Sequence, residues 1–385
     1  MPRRVRHVAL LIETTRSYTR GLLRGVRRYM SERGPWSVYL EMRALESPPP
    51  AWLRGWRGDG ILTRTGSQAM ADAVRQTRVP AVELRATKLR HRLPFVGVDN
   101  GALGSMVAEH LLDRGFRQFA VYDLDTERFF EERRDNFVQT VQARGCECQV
   151  YHAPEHRERP SKWEAHQDAL ARWVRRLPKP VGIMACTDQL GFWLLDACRR
   201  AEVAVPEEAA VVGVENDQAL CTMASPPLSS VRFNADRIGY EAAALLDKLM
   251  AGRRPPRRNL LVPPLGIVTR QSSDVVAIED RQVAAAVRFI REHAARPITV
   301  EHVLETVRLS RSSLERRMRL SLGRSPKAEI ARARLNFIRQ LLIETDMPIE
   351  AIARRAGFKH PQYLGAMFRR EAGQTPGQYR ASSRG

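Results

Sequence analysis

Two stretches decide the reading: LSRSSLERRMRLSLGRSP, from Leu309 to Pro326, and KHPQYLGAMFRREAGQTP, from Lys359 to Pro376. Shifting the first by fifty residues puts Leu314 on Leu364, Met318 on Phe368, Gly323 on Gly373, Ser325 on Thr375 and Pro326 on Pro376. Just upstream, with a shift one residue shorter, Val300, Val303, Val307 and Leu309 fall on Ile349, Ile352, Ala356 and Phe358. An internal repeat is read before other signals, because it means one supersecondary unit built twice. Each copy has apolar residues at helical spacing, a turn, and a second helix stopped by glycine. That pattern predicts two helix-turn-helix units, at about 297–322 and 347–371.

Local signals fill in both units. Thr299 is placed to cap a helix over Val300–Val307, and Ser310 to cap the helix that ends at Leu322. A long helix is expected from about Pro326 to Thr345, after which Met347-Pro348 opens the second unit. Gly357 falls at its turn, where a backbone without a Cβ is useful. In such units the second helix enters the major groove. The positions expected to face DNA are Ser310, Arg311, Ser312, Glu315, Arg316 and Arg319 in the first copy. In the second they are Lys359, His360, Gln362, Tyr363, Ala366, Arg369 and Arg370. Arg can pair with guanine and Gln with adenine through two hydrogen bonds each, and the remaining basic residues suit phosphates.

Charge supports that reading. The chain of 385 residues carries a formal net charge of +20, which favours a polyanionic partner, nucleic acid before a membrane surface. From Arg281 onward there are 21 Lys/Arg against 9 Asp/Glu, an excess of 12 in the last 105 residues. A basic, solvated helical bundle is the plain alternative. It does not account for a duplication in which both copies end in G-x-[S/T]-P. The five cysteines, Cys146, Cys148, Cys186, Cys198 and Cys221, are odd in number and irregular in spacing. They read as reduced packing thiols rather than a disulfide framework or a zinc site. The N-terminal apolar run is too short for a signal peptide, and no stretch has the length of a membrane span. A cytoplasmic protein without a membrane partner is expected.

Upstream of the repeat the chain alternates. Short apolar runs at His7–Glu13, Trp36–Glu41, Gly60–Thr63, Pro80–Leu84 and Phe95–Val98 are separated by helical segments. A second series follows from Asp99, with strands at Gln118–Tyr122, Gln149–His152, Val181–Ala185 and Ala210–Val214. This is α/β order with parallel sheets covered by helices. Two such lobes with a crossover near Asp99 predict a hinged binding domain whose cleft lies at the carboxyl ends of the strands. The expected division is a ligand-sensing domain at 1–274, a linker at 275–280 and a DNA-binding domain at 281–385.

Specific stretches carry a family resemblance. VPEEAAVVGVEND (Val205–Asp217), PPLSSVRFNADRIGYEAAALLDKLMAG (Pro226–Gly252), LLVPPLGIVTRQSSD (Leu260–Asp274) and VDNGALGSMVAEHLLDRGFRQFAVY (Val98–Tyr122) resemble the ligand domains of LacI/GalR-type repressors. The resemblance covers roughly residues 6–274 and implies the periplasmic sugar-binding fold. This chain opens directly on its first strand, without the N-terminal helix-turn-helix of those repressors. Residues 281–381 resemble the AraC/XylS-type DNA-binding domain, most closely over IEAIARRAGFKHPQYLGAMFRREAGQTPGQYR. Gly365 and Ala366 depart from it, standing where polar contact residues are common. The two parts in this order resemble the xylose-operon regulator type. That resemblance implies a homodimeric activator that answers a small sugar such as D-xylose, binds operator or promoter DNA and contacts RNA polymerase. A different effector, or action as a repressor, fits the same architecture.

A sugar is held by planar polar groups that can bond paired hydroxyls in a dry cleft. The candidates are Glu13, Arg16, Tyr18, Asp99, Arg133, Asp188 and Glu215. Arg133 is implied by the resemblance, because Asn136-Phe137 stands where the family has a Gly-aromatic pair. A strand-end Asp can equally cap a helix, and Asp188 is placed to do so. No nucleophile elbow, phosphate loop, zinc site or paired-carboxylate motif is present, so no enzyme, metal or cofactor is expected. His152 and His156 read as solvated loop residues. A DNA-repair enzyme with an AraC-like module would need a reactive cysteine or a zinc cluster, and a transport receptor a signal peptide.

Overall fold

The computed structural model describes residues 5–154, 160–275, 278, 280–345, 347–358 and 360–384. Strand β1 (Arg6–Leu11) is apolar on both faces because both are covered: Val8, Ala9, Leu10 and Leu11 are all buried. Around it β2 (Trp36–Leu40), β3 (Gly60–Thr63) and β4 (Ala81–Glu83) form a parallel sheet in the order β2-β1-β3-β4. A bridge between Glu83 and Phe95 leads to β5 (Val96–Val98), which pairs in parallel with β11 (Leu260–Val262). The crossover helices are α1 (Ser17–Arg33) and α2 (Gln68–Gln76).

The second lobe is a six-stranded sheet built on β6 (Gln118–Asp123), β7 (Glu147–His152), β8 (Val181–Ala185), β9 (Ala209–Glu215), β10 (Ser229–Arg232) and β12 (Gly266–Val268). Its order is β12-β10-β9-β8-β6-β7, parallel except for β12. Helices α3 (Asn100–Leu112), α4 (Arg128–Gln142), α5 (Pro160–Arg176), α6 (Asp188–Arg200) and α7 (Gln218–Met223) connect it.

The sequence places the crossover near Asp99, and the structure adds two. Helix α8 (Ala235–Met250) returns to the first lobe and lies on α1, and β11 stays there before β12 rejoins the second sheet. Glycines let α1 and α8 touch backbone to backbone. A Cβ on Gly25 would come within 2.0 Å of the Asp236 carbonyl oxygen, and one on Gly239 within 2.0 Å of that of Leu22. Three strands of chain thus join the lobes, which is the geometry of a hinge.

After the sensor, Asp280 caps α9 (Arg281–Glu292) by accepting from the amides of Gln282 and Val283. The first repeat unit is α10 (Val300–Val307) and α11 (Arg311–Leu322), followed by the long α12 (Pro326–Glu344). The second is α13 (Ile349–Arg355) and α14 (Pro361–Ala372), followed by α15 (Pro376–Arg384). The repeated G-x-[S/T]-P has a mechanical meaning. Gly323 and Gly373 end their helices in the left-handed region at φ +69° and +72°; two residues later Ser325 or Thr375 caps the next helix, with proline at its first position. The turns of the two units also match in conformation, φ +77° at Gly357 and +51° at Arg308, although only one of them is a glycine.

The core of the first unit, including Val303, Leu314 and Met318, is continuous with the sensor's core. The second unit has its own, with Ile338, Leu342, Ile352, Leu364 and Phe368 fully buried. Helix α12 contributes Ile330 and Ala333 to the former and Leu335 to Leu342 to the latter, so it is the beam that carries the second unit.

Candidate functional site

The inter-lobe cleft holds a cavity of about 180 Å³. Of the seven residues expected there, Glu13, Arg16, Tyr18, Arg133 and Glu215 line it. They come from different elements: Glu13 follows β1, Arg16 and Tyr18 begin α1, Arg133 lies on α4 and Glu215 ends β9. Strand ends bring them together because both sheets point their carboxyl ends at the gap.

Asp99 and Asp188 do not line it. The Asp99 carboxylate accepts from the Ala102 amide at 2.9 Å and caps α3, and its neighbour Asn100 takes the place in the cleft. Asp188 is fully buried and turned inward, accepting from the Ser230 hydroxyl at 2.5 Å and the Asp217 amide at 2.6 Å. The cap of α6 is Thr187, which accepts from the Leu190 amide. Burial first, then the nearby Glu215 carboxylate, push the Asp188 carboxyl up to about 7. Thr187 and Gln189 flank the cavity instead.

The geometry adds residues that the sequence did not single out. Arg64 pairs with the buried Glu13, and its guanidinium lies 5.4 Å from the Tyr18 ring. Burial lowers the Arg64 pKa to about 10, and the like charge of Arg85 adds to that. Arg133 is 4% exposed; it donates to the Asn100 side-chain oxygen at 2.9 Å and to the Cys186 carbonyl at 2.6 Å. Its guanidinium sits 4.8 Å from the Phe129 ring and 5.4 Å from that of Phe233. Burial pushes the Tyr18 phenol up, so it stays a protonated donor. Carboxylates, guanidiniums, an amide and aromatic faces thus converge on one small space. Such a set suits a polyhydroxylated molecule with an apolar face.

The lobes meet across this cavity. Arg85 of the first lobe lies 2.9 Å from Glu127 of the second, and Lys88 2.7 Å from Glu131. Ser17 donates to Asp217 at 2.9 Å, and Arg16 stands 3.8 Å from Glu215. His152 is exposed, as a solvated residue should be, but it is the last residue of β7 rather than a loop residue and pairs with the buried Asp123 at 2.6 Å. His156 lies outside the described residues.

On the DNA-binding domain, Arg311, Ser312, Arg316 and Arg319 stand exposed along α11, with Glu315 half-buried. The Ser310 hydroxyl accepts from the Ser313 amide and caps that helix. Arg311 lies 3.0 Å from Glu301 and 3.8 Å from Glu315. Helix α14 begins at Pro361 with His360 as its cap residue, and Lys359 lies outside the described residues. Gln362, Tyr363, Ala366, Arg369 and Arg370 are exposed on it, and Arg370 pairs with Glu371 at 2.8 Å. Leu320, one residue past Arg319, is 81% exposed and was not anticipated. Among the described residues no helix is long and apolar enough to cross a membrane.

Comparison with known proteins places both halves. A periplasmic binding protein-like domain matches residues 108–273, and a helix-turn-helix domain matches 303–382. The xylose operon regulatory protein of Escherichia coli (strain K12) is 31% identical over 97% of this chain and 96% of its own length. That of Haemophilus influenzae (strain ATCC 51907 / DSM 11121 / KW20 / Rd) is 29% identical over 97% of each. The solved structure of the xylose-binding transcription activator xylR aligns with a TM-score of 0.83, 30% identity and 99% coverage of both chains. A periplasmic-binding-protein-like α/β sensor followed by an AraC-type helix-turn-helix domain, matched over nearly its whole length, shows that the chain belongs to the family of the xylose operon regulatory proteins, DNA-binding transcription regulators.

Proposed function

We propose that this chain is a sugar-controlled activator whose effector is D-xylose. The observation that carries the reading is the convergence of Glu13, Arg64, Asn100, Arg133 and Glu215, from both lobes, on one small cleft. The relatives named for xylose supply the choice of sugar. Glu13, Arg16, Tyr18, Arg133 and Glu215 then bond hydroxyls, while Phe129 and Phe233 cover an apolar face. Asp99 and Asp188 act behind the site, one capping α3 and the other fixing the Ser230 and Asp217 loop. Residues 1–274 sense, 275–280 link and 281–385 bind DNA. The chain works in the cytoplasm and performs no catalysis.

Binding shifts the lobes toward the closed state only by its differential affinity for it. Arg85–Glu127 and Lys88–Glu131 belong to that state. In a homodimer, closure in both protomers re-aims the two DNA-binding domains, and the DNA-bound form recruits RNA polymerase. On DNA, Ser310, Arg311, Ser312, Glu315, Arg316 and Arg319 address one major groove, and Lys359, His360, Gln362, Tyr363, Ala366, Arg369 and Arg370 the next. Helix α12 has nineteen residues and is about 28 Å long at the α-helical rise, comparable to the ~34 Å turn of DNA. Leu320 offers an apolar contact for a thymine methyl. Calorimetric titration of the full chain with D-xylose, L-arabinose, D-ribose and D-glucose tests the sugar. A pentose other than xylose binding more tightly would overturn the choice of effector.

A further inference from the structure

A second and larger cavity lies where the sensor meets the DNA-binding domain. Its volume is about 540 Å³, three times that of the inter-lobe cleft, and within the usual range of small-molecule sites. Its charged wall is one-sided. Arg270 comes from the sensor just past β12, Arg291 from α9, and Arg332 and Arg339 from α12; the one carboxylate is Asp274.

Three of these arginines are already fixed. Arg270 donates to the Leu228 carbonyl and to Asn216, both at 2.8 Å. Arg291 donates to the Asp274 carbonyl at 2.8 Å, and Arg332 to the Asp274 carboxylate at 2.9 Å. Asn336 donates to the same carboxylate oxygen, Oδ2, at 2.9 Å, so the wall itself holds the Asp274 side chain in place. Arg339 differs. Its Nε is buried and has no hydrogen-bond partner, and its guanidinium carbon lies 5.9 Å from the ring of Tyr379. A buried donor left unpaired is unfavourable, and an incoming acceptor removes the penalty.

From this arrangement we infer that the cavity is a second effector site, for a small organic anion. The anion carries a phosphate or carboxylate group on a body of sugar size. Guanidiniums bind both groups through paired, charge-assisted hydrogen bonds. Glu207, Asp274 and Glu329 balance Arg291 and Arg332 from behind the wall, which leaves Arg270 and Arg339 as the cations that select an anion over a neutral sugar. The walls come from both domains, so an occupant binds one relative orientation of sensor and DNA-binding domain better than another, which makes it an effector. The inference does not depend on which sugar fills the inter-lobe cleft.

The test is calorimetric titration of the full chain with glucose 6-phosphate, glucuronate, inorganic phosphate and glucose. The Glu215→Gln chain serves as background, to weaken the first cleft. Glucose 6-phosphate or glucuronate is expected to bind at least tenfold more tightly than glucose, and whichever is tighter identifies the charged group. Arg339→Ala is expected to lose at least tenfold and Arg339→Lys to recover part of it. Thr222→Trp, which fills the cavity from the α7 side, should lose binding as well. It serves in place of Arg339→Ala if that variant does not fold. No anion binding, affinity unchanged within twofold in Arg339→Ala or Thr222→Trp, or inorganic phosphate binding as tightly as the ester each overturns the assignment.

Discussion

The guanidinium of Arg291, on the first helix of the DNA-binding domain, lies 2.9 Å from the carboxylate of Glu207 in the sensor, a side chain only 2% exposed. Arg291 also donates to the Asp274 carbonyl and stands 3.9 Å from Glu329, which Arg324 and Arg332 neutralise as well. Arg288 lies 3.3 Å from Glu208 beside them, and Arg114, just past α3, donates to the Ser273 carbonyl at 2.9 Å. A mesh of buried or half-buried ions therefore joins α9 and α12 to the second lobe. With the shared apolar core, it holds the first repeat unit against that lobe in the arrangement seen.

Removing one member of such a mesh leaves its partner charged and buried, which costs about 3–5 kcal/mol. Arg291→Ala should lower the stability of the full chain by about that amount in urea denaturation, or split the transition into two as the domains part. Arg291→Met with Glu207→Leu should recover most of the loss, because neither charge is then stranded. A single-transition curve with less than about 1 kcal/mol lost in Arg291→Ala would count against a joint held by these ions.

The buried Asp188 gives the sensor a pH dependence. Its carboxyl is raised from 3.8 to about 7, so between about pH 4 and pH 7 the folded chain holds a proton that the unfolded chain has lost. Stability is then greatest below that window and falls as pH rises through it. The loss is on the order of 4 kcal/mol if the displacement is fully expressed. Asp188→Asn keeps the shape and removes the titration. Its stability between pH 5 and 8 should be flatter than that of the parent; parallel curves would show that Asp188 is ionised when folded.

How much of this was legible in the sequence follows from what each feature depends on. The repeat, its caps and its glycine stops are local, so Ser310, Gly323, Ser325 and Gly373 could be read directly. Glu13 and Glu215 were legible because parallel sheets put strand ends at one edge. Asp99 and Asp188 missed the cleft by one residue: Asn100 and the pair Thr187 and Gln189 face it, and a one-residue offset turns a side chain by about a quarter of a helical turn. Arg64 and Arg85 sit in loops with no periodicity to flag them. The return of α8 to the first lobe rests on Gly25 meeting Asp236, and the joint on Arg291 meeting Glu207. Such long-range pairs leave no mark on local pattern.

Glu215 is the cleft residue best suited to separate sensing from folding. It ends β9 with φ +113°, and its one ion pair within 4 Å among the described residues is with Arg16 at 3.8 Å. Glu215→Gln should leave the thermal midpoint nearly unchanged and weaken D-xylose binding by about 1.5–3 kcal/mol, the worth of a hydrogen bond to a charged group. Operator binding without sugar should persist. Arg133→Ala is expected to do more, because it also unseats Asn100 and removes the guanidinium that the rings of Phe129 and Phe233 flank. Equal sugar affinity in the parent and Glu215→Gln would remove Glu215 from the site.

The recognition helices can be tested by sequence preference and by salt together. Arg311 rests against Glu301 and Glu315, but both Arg311 and Glu301 have side chains 61% exposed, and such surface pairs are worth at most about 1 kcal/mol. DNA can therefore draw Arg311 away. If Arg311 and Gln362 each read a base, each alanine substitution should cost about 1–3 kcal/mol and relax preference at one position. The double variant should bind operator at least about thirtyfold more weakly. Substituting a phosphate contact such as Arg369 should instead weaken all sequences alike and reduce the salt slope by about one. D-xylose affinity should be unchanged in both, since neither helix reaches the cleft. Fluorescence anisotropy with the operator and with scrambled DNA at several salt concentrations separates these outcomes. A double variant that keeps full operator affinity would place the base-reading surface elsewhere on the domain.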